Sequence, residues 1–167
     1  MSNFHKNLSN LVLFLRNQMK KKFDRHVSMQ DLFSDRIETA KFYGFGKGTT
    51  CYNNVLIIGN VKVGKNTWIG PNVVLDGSGG LKIGDYVSIS AGVQIYTHDT
   101  VNWSISMGKK NKTKAPTTIG SGVYIGPNTV IQKGVTVRNN SIIGAMSFVN
   151  KDIPAKGKWY GNSLINE

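Results

Sequence analysis

The sequence predicts an all-β solenoid: a parallel β-helix of about five triangular coils, preceded by a helical segment and interrupted by one extended loop. Three observations carry this. Apolar residues recur every six positions from Phe45 onward; a small or β-branched residue follows most of them by four; and Gly often stands directly after the first, at 46, 64, 70, 84, 120, 126 and 144. A period of six is neither the 3.6 of a helix nor the two of a plain strand. It fits a short strand plus a tight turn, three of which close one coil whose inward columns stack roughly 4.8 Å apart.

Residues 1–41 read as an N-terminal helical segment. Phe4, Leu8, Leu11, Val12, Leu15, Met19 and Phe23 recur at helical spacing, which predicts an amphipathic helix over 4–23 with Ser2 or Asn3 as its cap. A second, shorter helix is expected around 29–40, with Ser28 as N-cap and Met29, Leu32, Phe33 and Ile37 on its apolar side. The segment holds eight basic and four acidic residues, including the run Lys20-Lys21-Lys22. Its apolar stripe would pack on the body or on a neighbouring subunit; a basic helix lying on a membrane surface is the other reading. The longest apolar run, Leu11 to Leu15, is too short for a transmembrane span or a signal h-region.

Residues 42–162 carry the repeats. The inward column runs Phe45, Cys51, Ile57, Val63, Ile69, Leu75, then, after the two extra residues Leu81 and Lys82, Ile83, Ile89 and Ile95. It resumes at Ile119 and continues through Ile125, Ile131, Val137, Ile143 and Val149, fifteen positions in all and all apolar. The second column extends from Thr49 to Ser147 and Ile153, with Asp99 as its one break. Gly and Asn occupy the corners, where positive φ is needed. Cys51 falls on the inward column and reads as a packed small hydrophobe. As the single cysteine it excludes an internal disulfide framework and a Cys-based zinc cluster. Residues 163–167 are left as a C-terminal tail.

Between Ile95 and Ile119 the period fails. The segment 97–117 is too long for a corner and too polar for a core, and a loop leaving a regular solenoid is where function is commonly placed. At its root stand His98 and Asp99, and it carries Lys109, Lys110, Lys112 and Lys114. The other two histidines, His5 and His26, lie in the leader. Over the 167 residues, 21 Lys+Arg against 9 Asp+Glu leave a net charge of +12, which suggests a polyanionic partner. No stretch interleaves basic and aromatic residues, so a nucleic-acid partner is not expected.

Specific segments then resemble a known family. Gly92-Val93-Gln94-Ile95-Tyr96-Thr97-His98-Asp99 is similar to the catalytic segment of bacterial sugar O-acetyltransferases of the hexapeptide-repeat acyltransferase family, which includes maltose, galactoside and polysaccharide-modifying acetyltransferases. So are Thr118 to Gly126 and Ile143 to Pro154, and the resemblance covers roughly residues 45–162. It implies a left-handed β-helix, with the hand taken from the resemblance and not from the spacing. It also implies transfer of an acetyl group from acetyl-CoA, as co-substrate, to a sugar hydroxyl, in surface polysaccharide or lipopolysaccharide biosynthesis. His98 is then the expected general base, since imidazole, titrating at about 6.5 in water, can take a hydroxyl proton and return it to the leaving thiolate. Asp76, Asp99, a main-chain carbonyl or a neighbouring subunit could orient it, and Asp76 and Asp99 are the residues expected to contact the acceptor. The resemblance places coenzyme A along Tyr124, Pro127, Ala145, Asn150 and Lys151. No metal is expected.

It further implies a homotrimer with sites between subunits. The expected location is cytoplasmic, with the basic leader offering a peripheral contact to the inner face of the membrane. N-acetylation of an amino sugar or nucleotide-amino sugar is the alternative on the same donor and fold. A non-catalytic β-helix serving as a binding or scaffold protein is the alternative of a different class. A carbonic anhydrase on this fold would need three His ligands, and His98 alone lies on the repeats.

Overall fold

The computed structural model describes residues 2–165, and its body is a parallel β-solenoid of three-sided coils. Strand register stacks the inward residues into three columns, one per face. The first face carries Cys51, Ile69, Ile89, Ile125, Ile143 and Trp159. The second carries Ile57, Leu75, Ile95, Ile131 and Val149. On the third, Val63, Ile83, Ile119, Val137 and Ile153 stack in turn, and Phe45 continues the column through the Gly46 N–H to Val63 O bond of 3.0 Å.

This amounts to about six turns where five were expected. The difference lies at the C-terminal end. The period assigns Ile153 to the small column, yet it is fully buried in the large one and bridges Val137. The corner after Val149 is cut short by two residues: Asp152 Oδ1 accepts from the Thr136 amide at 2.7 Å, and the Ile153 amide donates to Thr136 O at 3.0 Å. Six residues later Trp159 fills the first-face column, only 2 % exposed. The strand Ser163–Ile165 then doubles back antiparallel on Lys158–Tyr160 and lays Leu164 over Trp159. The first residues of the expected tail are therefore paired, and residues 166–167 lie outside the described residues.

The second column is also inward, and its hydroxyls are satisfied by main-chain oxygens. Thr49 Oγ1 donates to Gly64 O at 2.7 Å, Thr67 Oγ1 to Gly84 O at 3.0 Å and Thr129 Oγ1 to Gly144 O at 2.9 Å. A buried hydroxyl without a partner would cost about 1–3 kcal/mol, so these side chains tie successive coils together instead of weakening them. Where the loop interrupts the series, Thr97 takes the inward place and is fully buried, while Asp99 stays outside. The Cys51 thiol is buried, and its pKa is pushed up to about 12 by burial, with the Asp31 carboxylate adding to it.

The leader forms three helices, α1 (Asn3–Phe23), α2 (Met29–Phe33) and α3 (Arg36–Phe42). The single helix expected at 29–40 is broken because Ser34 is extended and Asp35 starts a new capping box with Glu38. Helices α2 and α3 close the N-terminal end of the solenoid: Ala40 joins the core, Asp31 Oδ1 accepts from the Asn53 amide at 3.0 Å, and Thr39 Oγ1 donates to Asn53 Oδ1 at 2.9 Å. Helix α1, capped by Ser2, buries none of its residues. Among the described residues no helix is long and apolar enough to cross a membrane.

Candidate active site

The loop root lies at the corner between the second and third faces. Residues 74–75 and 94–95 pair in register, which sets Asp76 one coil beneath the start of the loop. Asp76 belongs to the long strand Val74–Ile83, whose two extra residues let Asp76-Gly77-Ser78-Gly79-Gly80 swell around the corner. Gly77 and Gly79 fit there because other backbone lies against them. A Cβ on Gly79 would sit 2.5 Å from the Thr97 carbonyl oxygen, and one on Gly77 would strike the Asn60 backbone.

The swelling aims Asp76 inward at His98. Asp76 Oδ2 lies 2.6 Å from His98 Nδ1 and also accepts the Thr97 amide at 2.9 Å and the His98 amide at 3.1 Å. Oδ1 takes the Ser78 amide at 3.0 Å. Burial pushes this carboxyl's pKa up, but hydrogen bonds from Ser78, Thr97 and His98 outweigh it and hold the group well below the usual carboxylate range. An ionised carboxylate can only accept, so Nδ1 carries the ring proton and donates it to Asp76. In the neutral ring it is then Nε2 that carries the lone pair. The His98 side chain is 24 % exposed and that of Asp76 0 %, so the imidazole alone of the pair meets solvent.

Asp99 is engaged elsewhere. Residues 98–99 pair antiparallel with 113–114 to form the neck of the loop, which then carries α4 (Val101–Ile105). Asp99 Oδ1 accepts from Thr113 Oγ1 at 2.8 Å and from the Val101 amide at 3.2 Å, and Oδ2 pairs with Lys133 Nζ at 3.0 Å. The Thr113 bond first, then Lys133, hold its carboxyl below the ordinary range. Thr97 locks the other side: its Oγ1 donates to Asp76 O at 2.8 Å and accepts from the Gly79 amide at 2.7 Å, and its carbonyl takes the Ala115 amide at 2.9 Å. Sequence reasoning did not single out Ser78, Thr97, Thr113 or Lys133. Thr97 had a signal, since sliding the small column two residues at the interruption makes it, and not Asp99, the next inward position.

The residues expected to meet coenzyme A separate into two groups. Asn150 and Lys151 sit at the His98 corner two coils further on, after strand Phe148–Val149, with Lys133 on the coil between. Tyr124 is on the first face, and Pro127 and Ala145 are at the corner between the first and second faces. Within one prism the second face lies between the groups.

Residues 116–151 match the family described as bacterial transferase hexapeptide (six repeats), and residues 60–97 match the hexapeptide repeat of succinyl-transferase. The galactoside O-acetyltransferase of Escherichia coli (strain K12) is 38 % identical over 98 residues, covering 57 % of this chain and 47 % of that protein. The chain spans about half or less of the length of the curated relatives it matches. Among solved structures, a maltose O-acetyltransferase from Clostridium difficile 630 aligns over 97 % of this chain and 84 % of its own, with a TM-score of 0.69 and 25 % identity. AntD, an N-acyltransferase from Bacillus cereus in complex with dTDP and 3-hydroxybutyryl-CoA, aligns over 79 % of this chain and 88 % of its own at a TM-score of 0.62; at 20 % identity it shares the fold.

Proposed function

We propose that this chain, whose residues 60–97 and 116–151 match hexapeptide-repeat families, is an acetyl-CoA-dependent O-acetyltransferase acting on a sugar hydroxyl. The observation that carries the reading is the 2.6 Å contact between His98 Nδ1 and the buried Asp76 carboxylate. It sets the tautomer that a general base needs. His98 Nε2 takes the acceptor hydroxyl proton as that oxygen attacks the thioester carbonyl, and the imidazolium returns it to the departing coenzyme A thiolate. Asp76 steadies the positive charge in between and orients the ring. No acyl-enzyme is needed, and Cys51, buried and held protonated, is not placed to form one.

In this reading Asp76 serves the imidazole and not the acceptor, and Asp99 braces the loop through Thr113 and Lys133. Asn150 and Lys151 lie about 10 Å along the axis from His98, two coil spacings, on the line a pantetheine arm would follow. Tyr124, Pro127 and Ala145 face a different corner, so one coenzyme A reaching both groups would lie between two prisms. This supports a homotrimer with intersubunit sites. O-transfer is preferred to N-transfer because the 38 % identical relative is an O-acetyltransferase, whereas AntD shares only the fold. The cytoplasm, where acetyl-CoA is made, is the proposed location, with surface polysaccharide or lipopolysaccharide as the destination of the sugar.

The test follows thiol release from acetyl-CoA with hydroxylated glycans, nucleotide sugars and amino sugars as acceptors. Hydroxyl acceptors should be consumed, and His98→Ala should lower kcat by about a hundredfold or more. Full activity in His98→Ala would refute the base assignment, and turnover with amines alone would make the enzyme an N-acetyltransferase.

A further inference from the structure

Away from the His98 corner, the leader and the first three coils enclose two adjoining cavities of about 300 and 370 Å³. They share Arg25, Arg36, Thr50 and Tyr52 as lining, so the boundary between them is a strip with two guanidinium groups. Phe23 and Ile37 lie on the leader side of it; Trp68 and Ser88 lie on the first face of the solenoid.

Neither arginine makes a hydrogen bond or ion pair among the described residues. Arg36 is half-buried and lies 4.9 Å over the Tyr52 ring, a cation–π contact that fixes the guanidinium plane and leaves its N–H donors free. Two carboxylates also border the first cavity, Asp31 with partners on both oxygens and Asp35 as the N-cap of α3. Asp31 accepts from Ser28 Oγ at 2.7 Å and from the Asn53 amide at 3.0 Å, and Asp35 accepts the Ile37 amide at 2.7 Å. Trp68 is 66 % exposed on the same face, a large flat apolar surface open to solvent among the described residues. Two unpaired forks beside aromatic walls match a ligand that joins a multiply charged anion to an apolar or planar group.

We propose that these cavities form a binding site for an organic diphosphate, with the diphosphate bridging Arg25 and Arg36 and its organic end packed against the aromatic and apolar lining. A nucleoside diphosphate and an isoprenoid diphosphate share that chemistry. The site is on the first face and His98 is on the opposite corner of the same chain, and the lining shares no residue with the His98 site.

Calorimetric titration of the intact protein with UDP, farnesyl diphosphate and inorganic pyrophosphate tests this. At least one organic diphosphate should bind at least tenfold more tightly than pyrophosphate; UDP or farnesyl diphosphate as the tighter ligand identifies the source. Arg25→Gln and Arg36→Gln should each weaken binding about tenfold or more. Trp68→Leu, at an exposed position the fold does not need, should weaken it as well, and His98→Ala should leave it unchanged. Unaltered thermal unfolding of the arginine variants shows that they fold. The proposal is overturned if neither organic diphosphate binds, if pyrophosphate binds as tightly, or if folded arginine variants bind like the parent.

Discussion

A carboxylate removed from solvent normally protonates, and Asp76 stays ionised because three backbone amides, the Ser78 side chain and an imidazole converge on it. That balance has a sign that can be measured. The folded-state pKa is depressed below the ordinary value of 3.8, so the ionised form contributes stability that is fully present above about pH 5. It is lost as the pH falls through 3.8 toward the lower folded value. Urea midpoints of the parent and Asp76→Asn should differ most at neutral pH, and the gap should narrow progressively as the pH falls below about 4. The variant should also lose kcat through misorientation of His98, with the KM for acetyl-CoA little changed. A difference in midpoint independent of pH would mean that Asp76 is not ionised in the folded protein.

At the scale of the elements, the corners set the strictest local demand. The column Gly48, Asn66, Tyr86, Gly122, Asn140 and Lys156 holds positive φ throughout, from 52° to 78°. Each member after the first donates its amide to the coil below, as the Tyr86 amide does to Lys65 O at 2.9 Å. Gly and Asn accept that conformation readily, while other L-residues are disfavoured by about 1–2 kcal/mol. Tyr86, at φ 55° and 68 % exposed, therefore works against its own backbone without filling the core. Tyr86→Asn should raise stability by about 1 kcal/mol, read as a higher denaturant midpoint with unchanged m. A lower midpoint would show that the ring contributes more than its backbone costs.

For the whole molecule, α1 poses the largest question. Helix α1 has 21 residues and buries none of them, and Phe4, Leu11 and Phe14 are 71 %, 46 % and 58 % exposed. That exposed stripe is the surface that the proposed homotrimer or a membrane would cover. If the protein is the homotrimer proposed above, light scattering should give about 55 kDa, three chains of 18.4 kDa. If the basic end of α1 also rests on a membrane, Lys20, Lys21 and Lys22 each add about 1 kcal/mol at an anionic surface. Replacing all three by Gln should then lower co-sedimentation with phosphatidylglycerol vesicles about a hundredfold, and unchanged sedimentation would dismiss the membrane contact.

By itself the sequence determined the solenoid, its columns and the place where they break. A hexad needs only to match its neighbours one coil away, so the pattern from Phe45 to Val149 is a one-dimensional code that needs no long-range knowledge. His98 was legible for the same reason, as the histidine standing where the period fails. Only the tertiary structure decided how far the coils continue, because the shortened corner that moves Ile153 into the core is a matter of main-chain bonding to Thr136 and not of composition. It alone decided that His98 is held by Asp76 and that Asp99 is held by Lys133. Asp99 stands at the loop root and Asp76 one coil before it, and the two have the same chemistry. What separates them is that the glycine swelling turns one inward beneath the imidazole, while the antiparallel neck of the loop turns the other out toward a lysine on the next coil.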